Sequence, residues 1–185
     1  YKTVFDPRVD QRALTVLPII WSALYRKDMI VREGIRFNET PGASYQDTSF
    51  VFQAWASARR VAILPKGYLH YRVDNANSSV KSSSKVFAVC DEYQLSEQFL
   101  EKDPERKQAF EEILNLLKLG TYRWNYNRLA AEHHREFAER MRDEYLKARD
   151  NKTLSQSMFA PHDWDMLNLL MDDFDQFMHK YSDGM

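Results

Sequence analysis

Cysteine is almost missing from this 185-residue sequence, which holds a single one, Cys90. One thiol cannot form an internal disulfide or a cysteine-based zinc site. Charge of either sign in excess is missing too. The 26 Lys and Arg balance 27 Asp and Glu for a net of −1, which excludes a nucleic-acid binder held by surplus positive charge over the whole chain. Long apolar runs are absent. Stretches such as residues 16–21 fall well short of the roughly 18 residues a membrane span needs, and the opening residues do not read as a signal peptide. What is present is a foldable composition. With 44% hydrophobic and 14% aromatic residues, disorder is excluded as a general description. The length suits one domain, or one domain with an appendage, and allows about 70% of the unfolded surface to be buried. The sequence opens at Tyr1 without a clean element, so it is expected to be the C-terminal part of something longer.

The clearest seam is residues 75–84, a small, polar and unpatterned run that reads as a loop or linker. Charge divides at the same place. Residues 1–84 hold 12 basic and 7 acidic side chains, a net of +5, and residues 85–185 hold 14 and 20, a net of −6. The first part is the better suited to an anionic ligand, although ordinary surface variation gives the same balance. Two regions are therefore expected, 1–84 and 85–185.

The second region reads as helical throughout. Ser84 can cap a helix carrying Val86, Cys90, Tyr93, Phe99 and Leu100. The run Asp103, Pro104, Glu105 is a helix start made of a capping side chain, a proline whose missing N–H costs nothing there, and an acid facing the helix dipole. Phe110, Ile113, Leu114 and Leu117 form one stripe that Gly120 is expected to stop. A helix over about 127–149 places Ala130, His133, Phe137, Met141 and Tyr145 on one face. A last helix from about Asp163 repeats Trp164, Leu167, Met171, Phe174, Met178 and Tyr181 every three or four residues. Four amphipathic helices are enough for a small bundle.

The first region reads as mixed. Pro18 opens a helix through Trp21, Leu24 and Tyr25 that stops at Gly34. Residues 35–37 form a short strand, and a loop containing Pro41, Gly42, Ala43 and Ser44 leads to a helix from about Asp47 to Ala58. Residues 60–64 and 68–73 are then two strands joined by a turn at Pro65, Lys66 and Gly67. The fold class expected is α+β, predominantly helical, with two or three short strands before the C-terminal bundle.

Tyr45, Gln46, Asp47, Thr48, Ser49 and Phe50, then residues 58–65, then Tyr68, Leu69, His70, Tyr71 and Arg72 form an ordered set. It resembles the C-terminal half of the catalytic domain of family 2 glycosyltransferases of the bacterial cell-surface glycan type. Residues 21–28 and 34–37 are similar to the segment that precedes that set, and residues 77–80 to the serine loop that follows it. The resemblance covers about residues 18–84 and implies a partial GT-A, Rossmann-like domain. It implies transfer of a sugar from a nucleotide-diphosphate donor to a glycan or lipid-linked acceptor, with inversion of stereochemistry and Asp47 as base. The family's acidic pair is Gln46-Asp47 here, so its first carboxylate is absent. The nucleotide-sugar half, with its Asp-x-Asp metal motif, lies outside the match, so the chain alone is expected to be inactive and to hold no cofactor. Mg2+ or Mn2+ is implied for the full-length enzyme. A cytoplasmic location, with peripheral association at the inner face of the membrane, and a homodimer are compatible with the resemblance.

Chemistry supports the base assignment at Asp47. An acceptor hydroxyl must lose its proton as it attacks the sugar carbon, and a carboxylate in hydrogen-bond reach takes it. Backbone N–H groups at a helix start favour the ionised form. An aspartate there also commonly serves as a helix cap. Asp28 and Glu39 are the next acids in line. His70 and Arg72 share a strand face and could reach a diphosphate leaving group, or a metal in the case of His70; a satisfied strand histidine and a solvated arginine are the structural alternatives. Trp21 and Tyr25, one helical turn apart, could stack an acceptor sugar or pack in the core. Ser44 and Tyr45 lie just before the base and could shape the acceptor pocket.

Three other features are explained without chemistry. Asp163-Trp164-Asp165 and Asp173-Phe174-Asp175 spell a metal motif but fall on an amphipathic helix. The run 132–136 lacks the spacing that puts two histidines on one helix face. The aromatic and basic mixture at 122–128 resembles a single-strand nucleic-acid platform, yet its place among helices in the acidic region favours packing. The rival to an enzyme is a non-catalytic helical protein-interaction module.

Overall fold

Helix starts with local chemistry form where their residues predict. In a computed structural model that describes residues 4–15, 19–40, 45–70 and 86–185, Asp103 Oδ1 accepts the backbone N–H groups of Glu105 at 3.0 Å and Arg106 at 3.1 Å. It thereby caps α4, Pro104–Tyr126. The other helices are α1, Lys27–Arg32; α2, Gln46–Ser57; α3, Ala88–Glu101; α5, His134–Asp150; α6, Pro161–Asp172; and α7, Phe174–Lys180. The expected helix at 47–58 is α2. Pro18, Ser84 and the linker 75–84 lie outside the described residues.

The α+β expectation is corrected: the described residues contain helices and no strand or sheet. One isolated antiparallel bridge joins Phe5 and Val61. Val61 pairs with the N-terminal segment, so residues 60–64 gain no ladder. Leu64, Tyr68 and Leu69 are exposed, and among the described residues 68–70 form no strand; residues 71–73 of the expected second strand lie outside the described residues. Ile35 is 3% exposed, but it is buried as the residue that closes α1. Gly34 takes φ +65, its N–H bonds Val31 O at 3.2 Å, and the Ile35 N–H bonds Ile30 O at 3.0 Å. This pair of bonds is the Schellman arrangement that ends a helix at a left-handed glycine.

Other boundaries shift for identifiable reasons. The helix expected from Pro18 to Gly34 is a short 3-10 turn at Ile20–Ser22, extended backbone at Ala23, and α1 alone. α4 continues through Gly120 to Tyr126, and Gly120 does not take the left-handed φ that ends α1 at Gly34. Glycine there is a tolerated interior residue rather than a stop. A 3-10 turn at Ala131–His133 precedes α5 and rotates the pair of histidines. His133 turns outward to Glu136, and His134 is the buried one. The last helix is two, divided at Asp173, whose carboxylate accepts the Gln176 N–H at 3.0 Å and caps α7.

The chain divides into two compact units, one of Tyr1–Ser82 with Asp91–Phe110, the other of Ser83–Cys90 with Glu111–Met185. The first buries Leu14, Ile35, Phe50, Phe52, Tyr93, Phe99 and Leu100, with Phe52 edge-on to Phe110 at 6.3 Å. Arg106 lies over the Phe99 ring at 4.4 Å and pairs with Glu33 at 2.7 Å. In the second, Tyr122, Tyr126, Phe137, Met141, Tyr145, Leu167 and Phe177 are fully buried. Tyr122 and Tyr126 come from the aromatic and basic run at 122–128, expected between two helices but lying mostly within α4, where Trp124 is exposed with Arg128 over its ring. No helix among the described residues is long and apolar enough to cross a membrane.

The two glycines make opposite predictions. Gly34→Ala forces a side chain into the left-handed region and should cost about 1–2 kcal/mol. Gly120→Ala replaces a glycine in a helix interior with open space beside it, and should add about 0.5–1 kcal/mol. Urea unfolding of both variants checks this. A destabilising Gly120→Ala would restore the reading of Gly120 as a helix stop.

Candidate functional site

Asp47 sits in the first turn of α2, not at its cap. The cap position is Tyr45, held at φ 58, ψ 4 with no side-chain cap hydrogen bond. A left-handed tyrosine is an uncommon backbone state of the kind that costs of order 1–3 kcal/mol and clusters at functional sites. Gln46 anchors the same turn by donating to Thr40 Oγ1 at 2.9 Å. The Asp47 carboxyl accepts its own backbone N–H and that of Thr48, which lower its pKa, but burial is the larger effect and carries it above the ordinary aspartate value. The group is neither fully exposed nor sealed. A raised proton affinity in a carboxyl that solvent still reaches is the property a general base uses.

An aromatic wall stands beside it. Phe50, one turn along α2, stacks on Phe37 with ring centroids 4.2 Å apart and meets Tyr25 edge-on at 5.4 Å. Burial, and secondarily the Asp47 charge, raise the pKa of the Tyr25 hydroxyl, so the phenol and the carboxylate share one neighbourhood. The structure thus brings together Tyr25, Tyr45, Gln46 and Asp47. It does not bring the remaining candidates to them. Trp21 lies on the 3-10 turn at Ile20–Ser22 and is 43% exposed, so the helical spacing expected between Trp21 and Tyr25 is absent. His70 is exposed, and Ser44 and Arg72 lie outside the described residues. Asp28 is exposed and pairs loosely with Arg26 at 3.9 Å, and Glu39 is exposed.

One residue of the cluster escaped sequence reasoning. Glu92 of α3 is 1% exposed and reaches the start of α2. Its Oε1 accepts from Asn38 Nδ2 at 3.0 Å, and its Oε2 accepts the hydroxyl of Ser49. The backbone N–H of Ser49 also stabilises its charge. Burial still raises the Glu92 pKa above its ordinary value; those three hydrogen bonds lower it, and the nearby Asp47 charge adds a smaller upward push. A signal existed in the sequence: Val89, Glu92, Ser96 and Phe99 recur at helical spacing, which puts an acid on the apolar stripe of α3.

Among the described residues, no three His, Cys, Asp or Glu side chains are grouped to hold an ion. The two Asp-x-Asp runs have other work: Asp163 pairs with Arg123 at 2.5 Å, and Asp173 caps α7.

The raised carboxyls fix a sign. Because Asp47 and Glu92 bind protons more tightly in the folded chain, their contribution to stability is present below the ordinary carboxyl range. It is lost as pH rises through their folded values. Asp6 and Asp10, lowered mainly by hydrogen bonds from Arg8 and Arg12, act oppositely and lose stability as pH falls. Glu92→Gln removes one raised group. The stability of this variant minus that of the parent should therefore increase as pH is taken from about 4 to 7, on top of a constant offset for imperfect hydrogen bonding. Urea unfolding across that range tests it, and a difference that shrinks with rising pH would show that the Glu92 charge is favoured by folding.

No family model, curated protein or solved structure matches this chain.

Proposed function

We propose that residues 18–84 are the acceptor-side part of a glycosyltransferase. The enzyme would transfer a sugar from a nucleotide diphosphate to a glycan or lipid-linked acceptor, with inversion and with Asp47 as the base. The ordered resemblance of these residues to family 2 glycosyltransferases supplies the reaction. The observation that supports the role of Asp47 is its placement: a half-buried carboxyl of raised pKa, off the cap position, beside the Tyr25, Phe37 and Phe50 rings. In this reading the acceptor hydroxyl gives its proton to Asp47 as its oxygen bonds to the anomeric carbon. The bond from that carbon to the diphosphate breaks, and the leaving group carries away the electron pair. The exposed Phe37 ring suits the apolar face of a sugar. The partners are a donor and an acceptor in the cytoplasm, the acceptor side lying at the inner face of the membrane.

A second reading draws on a different observation. Trp21, Leu24, Val31, Leu64, Tyr68 and Leu69 of the first unit are all exposed, which favours a helical interaction module that covers them with another protein.

A transfer assay on the parent and on Asp47→Asn separates the two readings. In the full-length protein, transfer of radiolabel from UDP-glucose, UDP-galactose or UDP-N-acetylglucosamine with Mn2+ into a lipid extract should fall about 100-fold or more, as expected for loss of a positioned base. The melting temperature should barely move, because the backbone N–H groups keep an amide oxygen in place of the carboxylate. Turnover within twofold of the parent would end the assignment of Asp47 and pass the role of base to another acid, Asp28 or Glu39 first, whereas no transfer by the parent itself would leave the interaction module standing.

A further inference from the structure

We infer that Glu92 is the positioning residue for Asp47: its carboxylate, delivered from α3, clamps the start of α2 against the segment carrying Asn38 and so fixes where the base stands. The inference rests on the reading of Asp47 as base and extends it to a helix outside the resemblance.

Three observations carry it. First, Glu92 bonds the first turns of α2 from a distance of 43 residues along the chain, by accepting the hydroxyl of Ser49. Second, the same carboxylate holds Asn38 at 3.0 Å. Asn38 follows Phe37, whose ring stacks on Phe50 of α2, so one side chain ties the aromatic wall and the helix of the base to a third element. Third, the clamp is sealed. Glu92 is 1% exposed, and Ser49 and Ser96 are fully buried. A carboxylate taken out of water costs several kcal/mol unless its donors are in place. An apolar residue on this face of α3 would avoid that cost but could not hold Ser49 and Asn38.

Asp47 is two residues from Ser49. Movement at Ser49 is therefore movement of the base, and a displacement of about 1 Å at a reacting group can cost on the order of 100-fold in rate. The titratable groups that share the neighbourhood are Tyr25 and Glu92 themselves.

The experiment uses two measurements. In the transfer assay described above, Glu92→Gln should lower kcat by about tenfold or more with KM within twofold, and Glu92→Asp should recover part of the loss. In the chain enriched with carbon-13 at aspartate carboxyls, the Asp47 resonance, assigned by its disappearance in Asp47→Asn, should titrate with a lower midpoint in Glu92→Gln than in the parent. Ser49→Ala, which removes one donor and leaves Asn38 in place, should shift it by less. If Glu92→Gln is folded and changes neither kcat nor the Asp47 midpoint, the inference is overturned. If Glu92→Gln does not fold, Ser49→Ala decides alone, and an unchanged Asp47 midpoint and kcat there overturn it. Normal turnover in Asp47→Asn instead defeats the reading beneath it, and the inference with it. Loss in Asp47→Asn with none in folded Glu92→Gln defeats the inference only.

Discussion

A carboxylate withdrawn from water must be given its donors by the chain, and in the first unit that requirement organises the site. Glu92 takes a hydroxyl and a backbone N–H from the start of α2 and an amide from a segment 54 residues earlier. None of these contacts is local, so none could form before helix and loop are brought together by burial of Phe50, Phe52, Tyr93 and Phe99. The apolar packing brings the elements together, and the carboxylate then selects one placement among many that would bury similar area. Tyr45 can remain in a left-handed state without a capping side chain because the helix behind it is held by another element.

The second unit meets the same requirement differently. Glu144 accepts the Tyr122 hydroxyl at 2.7 Å, pairs with Lys118 at 3.2 Å and takes Arg140 Nε at 2.6 Å. Lys118 is 2% exposed, and burial drives the Tyr122 hydroxyl well above its ordinary pKa. Two cations surround one anion, so the charges are matched inside the bundle, whereas around Glu92 the donors are neutral. Buried ion pairs of this kind contribute little net stability and are better understood as selecting one helix register. Neutral donors leave the negative charge of Glu92 uncompensated. Burial raises its proton affinity, and the neutral donors only partly offset that rise.

Features written in neighbouring residues were legible in the sequence. The start of α4 follows from Asp103, Pro104 and Glu105, the end of α1 from Gly34, and α2 from the pattern around Asp47. Features that depend on a distant partner were not. Alternation at 60–64 and 68–70 states a preference for a half-buried extended surface, but a strand needs a second row of backbone groups, and among the described residues Phe5 alone supplies one. Gly120 and Gly34 are the same residue type with opposite roles, decided by whether the next turn of helix is packed. The one-residue exchange of His133 for His134 follows from a 3-10 turn that shifts the helical register. At the site, Tyr25, Tyr45, Gln46 and Asp47 were candidates in the sequence, three of them consecutive. Glu92 was not, because an acid within a helix reads as solvated until the apolar stripe it interrupts is noticed.

The three acids of the first unit can be ranked by what their surroundings permit. Glu92 is sealed, so no hydroxyl from a substrate could reach it, and its carboxylate is committed to Ser49 and Asn38. Asp28, with its side chain 83% exposed, has no apolar wall to strengthen its hold on a proton or to seat a sugar. Asp47 lies between these limits. Burial raises its affinity for a proton, the N–H groups at the helix start keep the ionised form available to take one, and solvent still reaches it. Moving it further in would close it to an acceptor, and moving it further out would remove the desolvation that makes it a stronger base than a surface aspartate. The clamp at Glu92 matters because that intermediate depth is set by where the first turn of α2 is held, and Glu92 ties that turn to the segment carrying Asn38.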